Sequence, residues 1–206
     1  MTLRTEAIPM APSQMRGAGE VLARAFHDDP HWAWVFPSEV RRAKVMPWFM
    51  AALTNYCRKY GEAYITAGKV EGAALWLAPG NYPESLVQMI LSGLAPVPLK
   101  FGLGAFRRLM ASQDHYEGLH KRDVPPRHWY LPTLGVDPPR QGQGIGGALL
   151  QPVLARADAE GLWCYLETEK EKNVPFYRRH GFEVAAEGDL PKDGPHFWTM
   201  IRKLQG

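Results

Sequence analysis

Residues 140–150, RQGQGIGGALL, follow an apolar run at residues 128–136 and open an apolar-periodic segment. Gly142, Gly144 and Gly146 stand at alternate positions, where the missing Cβ lets the backbone turn and come close to a ligand. The first amides of the helix that follows have no partner inside it, and the helix dipole adds positive potential there. A strand, a glycine loop and a helix start in that order form an anion-binding device. The segment is therefore expected to hold a phosphate, a pyrophosphate above all.

Glycine loops of this kind belong to more than one device. Gly142-x-Gly144-x-x-Gly147 matches the dinucleotide fingerprint literally, and Glu167 falls about twenty residues on, where a ribose-binding acid would stand. Against that reading, the motif lies in the last third of the chain, too late for a doubly wound sheet to follow. Residues 137–141 also intervene between strand and glycine, and the downstream pattern is not a repeated strand–helix series. A P-loop needs lysine and then a hydroxyl after its spacer, but Ala148 and Leu149 stand there. A ligand-free turn would need one such glycine, since each costs chain entropy.

The remaining pattern is Gln141-x-x-Gly144-x-Gly146 after a strand ending Gly135-Val136-x-Pro138. Downstream come Asn173, the pair Phe176-Tyr177, and Gly181-Phe182. Together these resemble the two signatures of the GNAT N-acetyltransferase superfamily, in the right order and spacing. The resemblance is firm over the second half of the chain and faint over the first, and it departs between Tyr82 and Pro126.

That resemblance implies acetyl-CoA as donor and acetyl transfer to an amine by direct attack. It implies an α/β (α+β) fold: a central, mostly antiparallel mixed sheet of about seven strands, splayed in the middle, with helices on both faces. Backbone amides of Gln141, Gly142, Gln143, Gly144, Ile145, Gly146 and Gly147 would cradle the pyrophosphate. Leu134, Gly135 and Val136 would line the coenzyme arm and hold the thioester oxygen, and Asn173 and Phe176 would touch the arm. Tyr177 would protonate the departing thiolate, as a phenol of pKa ~10 within reach can do; its plain alternative is packing of a short helix. Glu167 closes a buried strand beside the splay, where a carboxylate can hold an ammonium or take its proton; its alternative is a structural hydrogen-bond acceptor. Asp28 and Asp29, at a helix break that faces the acceptor in this superfamily, are further acceptor-binding candidates, and as residues before Pro30 they also read as a turn. Trp32, with Trp34 and Phe36, reads either as core or as an apolar acceptor wall.

The rest of the chain bounds these expectations. With 206 residues, 46% of them hydrophobic, a single domain over residues 1–206 has ample core. A net charge of +3 without a Lys/Arg run leaves nucleic acid a poor partner. No leader reads at the start and no run of ~18 apolar residues could span a membrane, so a cytoplasmic, soluble protein, monomer or homodimer, is expected. Cys57 and Cys164 read as buried free thiols. The histidines show no metal-ligand spacing, so no metal is expected.

Periodicity predicts a strand over residues 3–8, a helix over 13–26 and a long helix over 39–60 that Pro47 should bend or start. A hairpin is expected from strands 62–66 and 72–77. Residues 82–126 read as an insertion of two helices with a Pro/Gly joint at 95–104, its Leu/Met patches covering the acceptor site. A helix over 144–159, kinked at Pro152, precedes a buried strand at 162–168. Asn173 should cap a short helix ended by Gly181, and strands at 182–186 and 196–202 should close the sheet. The acceptor stays open: puromycin, another aminonucleoside, a polyamine or a peptide N-terminus. A catalytically silent acyl-CoA-binding or sensor domain is the competing class, and Tyr177 with Glu167 argues against it.

Overall fold

The strands β1 (Ala7–Pro9), β2 (Gly61–Thr66), β3 (Gly72–Leu77), β4 (His128–Val136), β5 (Trp163–Thr168), β6 (Glu183–Asp189) and β7 (His196–Arg202) form one sheet in the order β1-β2-β3-β4-β5-β7-β6. The computed structural model describes residues 5–83 and 85–203. Leu3 and Arg4 of the expected first strand lie outside them. All neighbouring strands are antiparallel except β4 and β5. β3 is buried along its whole length because both faces are covered: Ala73, Leu75 and Leu77 enter one core, Ala74 and Trp76 the other.

The first core packs the sheet against α1 (Met15–Ala25), α2 (Pro30–Val35), α3 (Glu39–Tyr60) and α5 (Val97–Asp123); the second packs it against α6 (Ile145–Glu160) and α7 (Val174–Arg178). Ser38 caps α3 by accepting from the Arg41 amide at 3.3 Å. Pro47 lies inside α3 and Pro152 inside α6, and both helices run through their prolines without a break. The packing of each helix on the sheet outweighs the missing hydrogen bond, ~3 kcal/mol in an isolated helix. Cys57 and Cys164 are both buried. Among the described residues, no helix is long and apolar enough to cross a membrane.

The inserted segment holds α4 (Leu86–Leu91) and α5. The joint falls within the expected residues 95–104 and is tighter than they suggest. Helix resumes at Val97, and the break falls at Gly102, where φ is 69° and ψ 165°. A side chain there would collide with Arg41, whose guanidinium donates to the Phe101 carbonyl at 2.7 Å. α4 is tied to α3 by Tyr56 Oη donating to Gln88, Asn55 to the Ser92 carbonyl, and Lys59 to the Leu91 carbonyl.

β4 and β5 pair only from His128↔Trp163 to Tyr130↔Tyr165. Beyond Tyr130 the two strands part. On its other edge β4 stays paired with β3 through Val136, with an irregularity opposite Leu75 and Leu77 where β4 carries Leu131 and Pro132. Proline has no amide to donate to a ladder. The gap between the strands, which the sequence leads one to expect, is thus built into β4 itself.

Candidate active site

One cavity of about 1170 Å³ runs through this gap. At one end lies the glycine loop. Asp137 starts it, held by a bidentate pair from Arg24 at 2.9 and 2.8 Å, and the guanidinium keeps the Asp137 carboxyl below its usual range. Gln141 folds back to donate to the Val136 carbonyl at 3.1 Å. Gly142 and Gly144 take φ of 75° and 81°, the left-handed region that glycine enters without strain. A Cβ on either would meet no protein atom within 4 Å, so the space beside both is open to a ligand. Gly144 ends the loop as the N-cap of α6, which turns the first amides of that helix toward the cavity.

Of the expected donor-binding residues, Leu134, Gly135, Val136, Gln141, Gly142, Gly144, Ile145, Gly146, Gly147, Asn173 and Phe176 line the cavity. Gln143 is exposed and donates to the Pro139 carbonyl instead. Gly135 has a further reason to be glycine: a Cβ there would press on Leu22 of α1 at 2.8 Å. Asn173 precedes α7 as expected but makes no side-chain cap; its amide donates to Thr168 Oγ1 at 2.9 Å and ties α7 to the end of β5. Arg140, Arg179 and His180 also line the cavity, Arg140 paired with Glu71 at 3.1 Å.

Tyr177 is buried on α7, with its ring edge-on to Phe176 and Phe182, and it borders the cavity. Burial, with the carboxylates of Glu169 and Asp29 nearby, pushes its phenol above the ordinary value. Glu167, on β5 opposite Thr199, lines the cavity with its carboxylate 4.0 Å from His120 Nδ1.

The structure separates the two candidate aspartates. Asp28 is exposed and outside the cavity lining. Asp29 is 4% exposed, caps α2 by accepting from the His31 amide at 3.1 Å, lines the cavity, and has Lys170 Nζ at 3.4 Å. Trp32 lines the cavity; Trp34 and Phe36 do not, Trp34 donating to the Lys192 carbonyl and Phe36 lying in the core. The acceptor end is completed by Phe49, Leu53, Tyr82, Met89, Phe106, Leu109 and Met110. Leu86 and Ile90 stand at this wall while remaining 72% and 52% exposed.

Glu169 was not anticipated from the sequence. It follows β5, lines the cavity, and accepts from Tyr116 Oη of α5 at 2.5 Å. Burial raises its carboxyl above the usual range. The i, i+2 spacing from Glu167, which keeps to one side of an extended chain, is the signal that could have found it.

Burial, with the charge of Glu169, also lifts Asp29 from 3.8 to about 6. A raised carboxyl stabilises the fold fully below its unfolded value, and that contribution is lost as pH rises through the folded one. Asp29→Asn keeps an oxygen for the His31 amide and cannot ionise. Its stability relative to wild type should therefore climb between pH 4 and pH 7.5, by up to about 3 kcal/mol for a two-unit shift. Denaturant melts at a series of pH values measure this, and parallel curves for the two proteins would show that Asp29 is not strained by its charge.

The comparisons with known proteins agree with this geometry. Residues 106–184 match the family model described as an acetyltransferase (GNAT) domain. An uncharacterised N-acetyltransferase of Schizosaccharomyces pombe is 27% identical over 183 residues, covering 85% of this chain and 73% of that protein. Among solved structures, a histone acetyltransferase HPA2-related acetyltransferase of Corynebacterium glutamicum superposes with a TM-score of 0.72 at 22% identity, covering 99% of this chain and 98% of that one. Arylalkylamine N-acetyltransferase 2 of Aedes aegypti gives 0.69 at 16% identity, with 98% and 100% covered.

Proposed function

We propose that this chain, whose residues 106–184 match the acetyltransferase (GNAT) domain model, is an acetyltransferase of that family and transfers acetyl from acetyl-CoA to a primary amine on a partly apolar small molecule. The observation that carries the reading is the continuity of the cavity. It joins the glycine loop, through the gap between β4 and β5, to carboxylates and an aromatic wall.

In this reading the pyrophosphate lies on the amides at the start of α6, where the left-handed glycines leave room. The pantetheine arm, itself amide-like, enters the gap and pairs with the edge of β4 that β5 has left. The thioester then sits between the β4 edge and Tyr177. An amide of Leu134 to Val136 holds the oxygen as charge develops on it. The amine attacks directly, Glu167 takes its proton, and Tyr177 protonates the leaving thiolate. Asp29 and Glu169 give the acceptor end negative charge, which favours an ammonium-bearing substrate. Trp32, Phe49 and Phe106 favour an apolar or aromatic scaffold for it.

The choice of first acceptor comes from the sequence. Residues 128–136, 141–150, 166–168 and 173–182, with Trp198-x-Met200, resemble puromycin N-acetyltransferase, and puromycin is the first compound to assay.

Calorimetry with acetyl-CoA, followed by coenzyme A release against a panel of amines, tests the reading. Gly144→Val forces a β-branched residue into the left-handed region and fills the space beside the loop. It should weaken acetyl-CoA binding about tenfold or more, because the branched side chain occupies the space open to the pyrophosphate; the backbone strain, ~1–2 kcal/mol, falls on the fold. Unchanged affinity in a folded variant would remove the coenzyme from this loop. Binding of NADH or ATP in its place would restore the dinucleotide reading, and binding without turnover on any amine would favour a sensor.

A further inference from the structure

His120 of α5 is 1% exposed and lies directly behind Glu167. Its ring is stacked between Tyr82, at 3.8 Å between centroids, and Tyr165, at 3.9 Å, with Tyr130 edge-on at 4.9 Å. Its Nε2 meets Nε2 of His128, and His128 Nδ1 lies 2.6 Å from the Pro125 carbonyl.

These contacts fix the protons. A carbonyl can only accept, so His128 Nδ1 carries a hydrogen. Burial disfavours the charged form of both rings, and a neutral imidazole carries one hydrogen. His128 Nε2 is then a bare lone pair, and His120 must donate to it from its own Nε2. What remains on His120 is a lone pair at Nδ1. That atom is buried with no hydrogen-bond partner among the described residues, and it faces Glu167 Oε1 at 4.0 Å. A buried acceptor left unpaired is costly, and a protonated Glu167 is a donor in the right place to satisfy it.

We infer that His120 is a positioning residue for the transfer: it offers Nδ1 to the proton that Glu167 has taken from the acceptor amine, and so makes Glu167 a stronger base. The inference rests on the assignment of Glu167 as base. In the step, an N–H bond of the acceptor ammonium breaks and an O–H bond forms on Glu167, whose hydroxyl closes the 4.0 Å gap and donates to His120 Nδ1. His120 stays neutral, and the amine is left with the electron pair that attacks the thioester. The other ionisable groups facing this pair are Tyr116 on α5, Tyr82 before α4, Tyr130 and His128 on β4, Tyr165 on β5, and Asp123 at the end of α5.

His120→Phe keeps a ring in the tyrosine stack and removes both nitrogens, whereas His120→Asn returns an amide oxygen near Nδ1. At saturating acetyl-CoA, His120→Phe should lower kcat/KM at pH 7 about tenfold and move the acidic limb of the profile down by about one pH unit, since one unit is one factor of ten. His120→Asn should restore part of that shift, and acetyl-CoA affinity should be the same in all three proteins. A lower plateau with an unmoved limb would make His120 structural and overturn the inference. Because His120→Phe leaves His128 Nε2 unpaired and can fail to fold, imidazole ¹⁵N spectra of the unliganded wild type supply a second test. A bare Nδ1 and a protonated Nε2 on His120 at pH 7, with the Nδ1 signal displaced by Glu167→Gln, are expected. A hydrogen on Nδ1 would overturn the inference. These spectra need no substrate, so they remain decisive if the wild type acetylates none of the amines, the result that would instead remove the proposed function.

Discussion

Tyr177→Phe should bind acetyl-CoA as wild type does and lose turnover by ~10²-fold or more, the scale of a positioned general acid. The fold should not notice the change, because the ring contacts to Phe176 and Phe182 survive it and only the hydroxyl is lost. The pH dependence is the sharper part of the expectation. Burial and the neighbouring carboxylates hold the phenol protonated well past its ordinary value, so the proton is present throughout the range in which the enzyme can be assayed. The loss should then be the same at pH 6.5 and pH 8.5. A loss that vanishes with a better leaving group, such as the thioester of a more acidic thiol, would confirm that the phenol serves thiolate departure. Equal turnover of variant and wild type at every pH would show that the thiolate leaves unaided.

How much of this was legible in the chain depends on the distance over which each feature is encoded. The glycine loop, the start of α6, β3 and α3 are local patterns, and periodicity placed them. Pro47 was read as bending α3 or marking its start because local propensity argues for one; the helix starts at Glu39, so packing of α3 on the sheet overrides the second. The cap expected of Asn173 failed because the residue closes a 3-10 turn with helical φ −81° and ψ −25°, not the extended backbone of a cap, while its Nδ2 donates to Thr168 at the end of β5. Neighbouring aspartates cannot be told apart by composition. It is the capping of α2 that turns Asp29 inward and leaves Asp28 in solvent. Trp32, Trp34 and Phe36 were read together, as core or as an acceptor wall, and the structure divides them: only Trp32 reaches the cavity. Tyr116 and His120 were illegible in their roles: α5 brings them against Glu169 and Glu167 across about fifty residues of chain, and their own neighbours in sequence carry no sign of it.

Glu167→Gln should lower turnover by ~10²-fold or more at pH 7 and recover as pH rises. A primary amine of pKa ~10 is free in only about one molecule in a thousand at that pH. With a carboxylate beside it, the bound ammonium can be deprotonated in place, and the rate escapes that fraction. With the amide, the rate must follow the free amine and climb about tenfold per pH unit until the amine itself has titrated. Glutamine keeps the shape of the side chain and can still address His120, so the cavity wall is preserved. The profile of the variant should thus be steeper than that of the wild type on its acidic side, and the two should converge toward pH 10. Profiles that run parallel would make Glu167 a wall residue. The proton would then leave through Glu169, whose carboxyl burial already raises, or through Asp29 at about 6. Glu169→Gln and Asp29→Asn, measured the same way, separate those two routes by which of them acquires the steep slope.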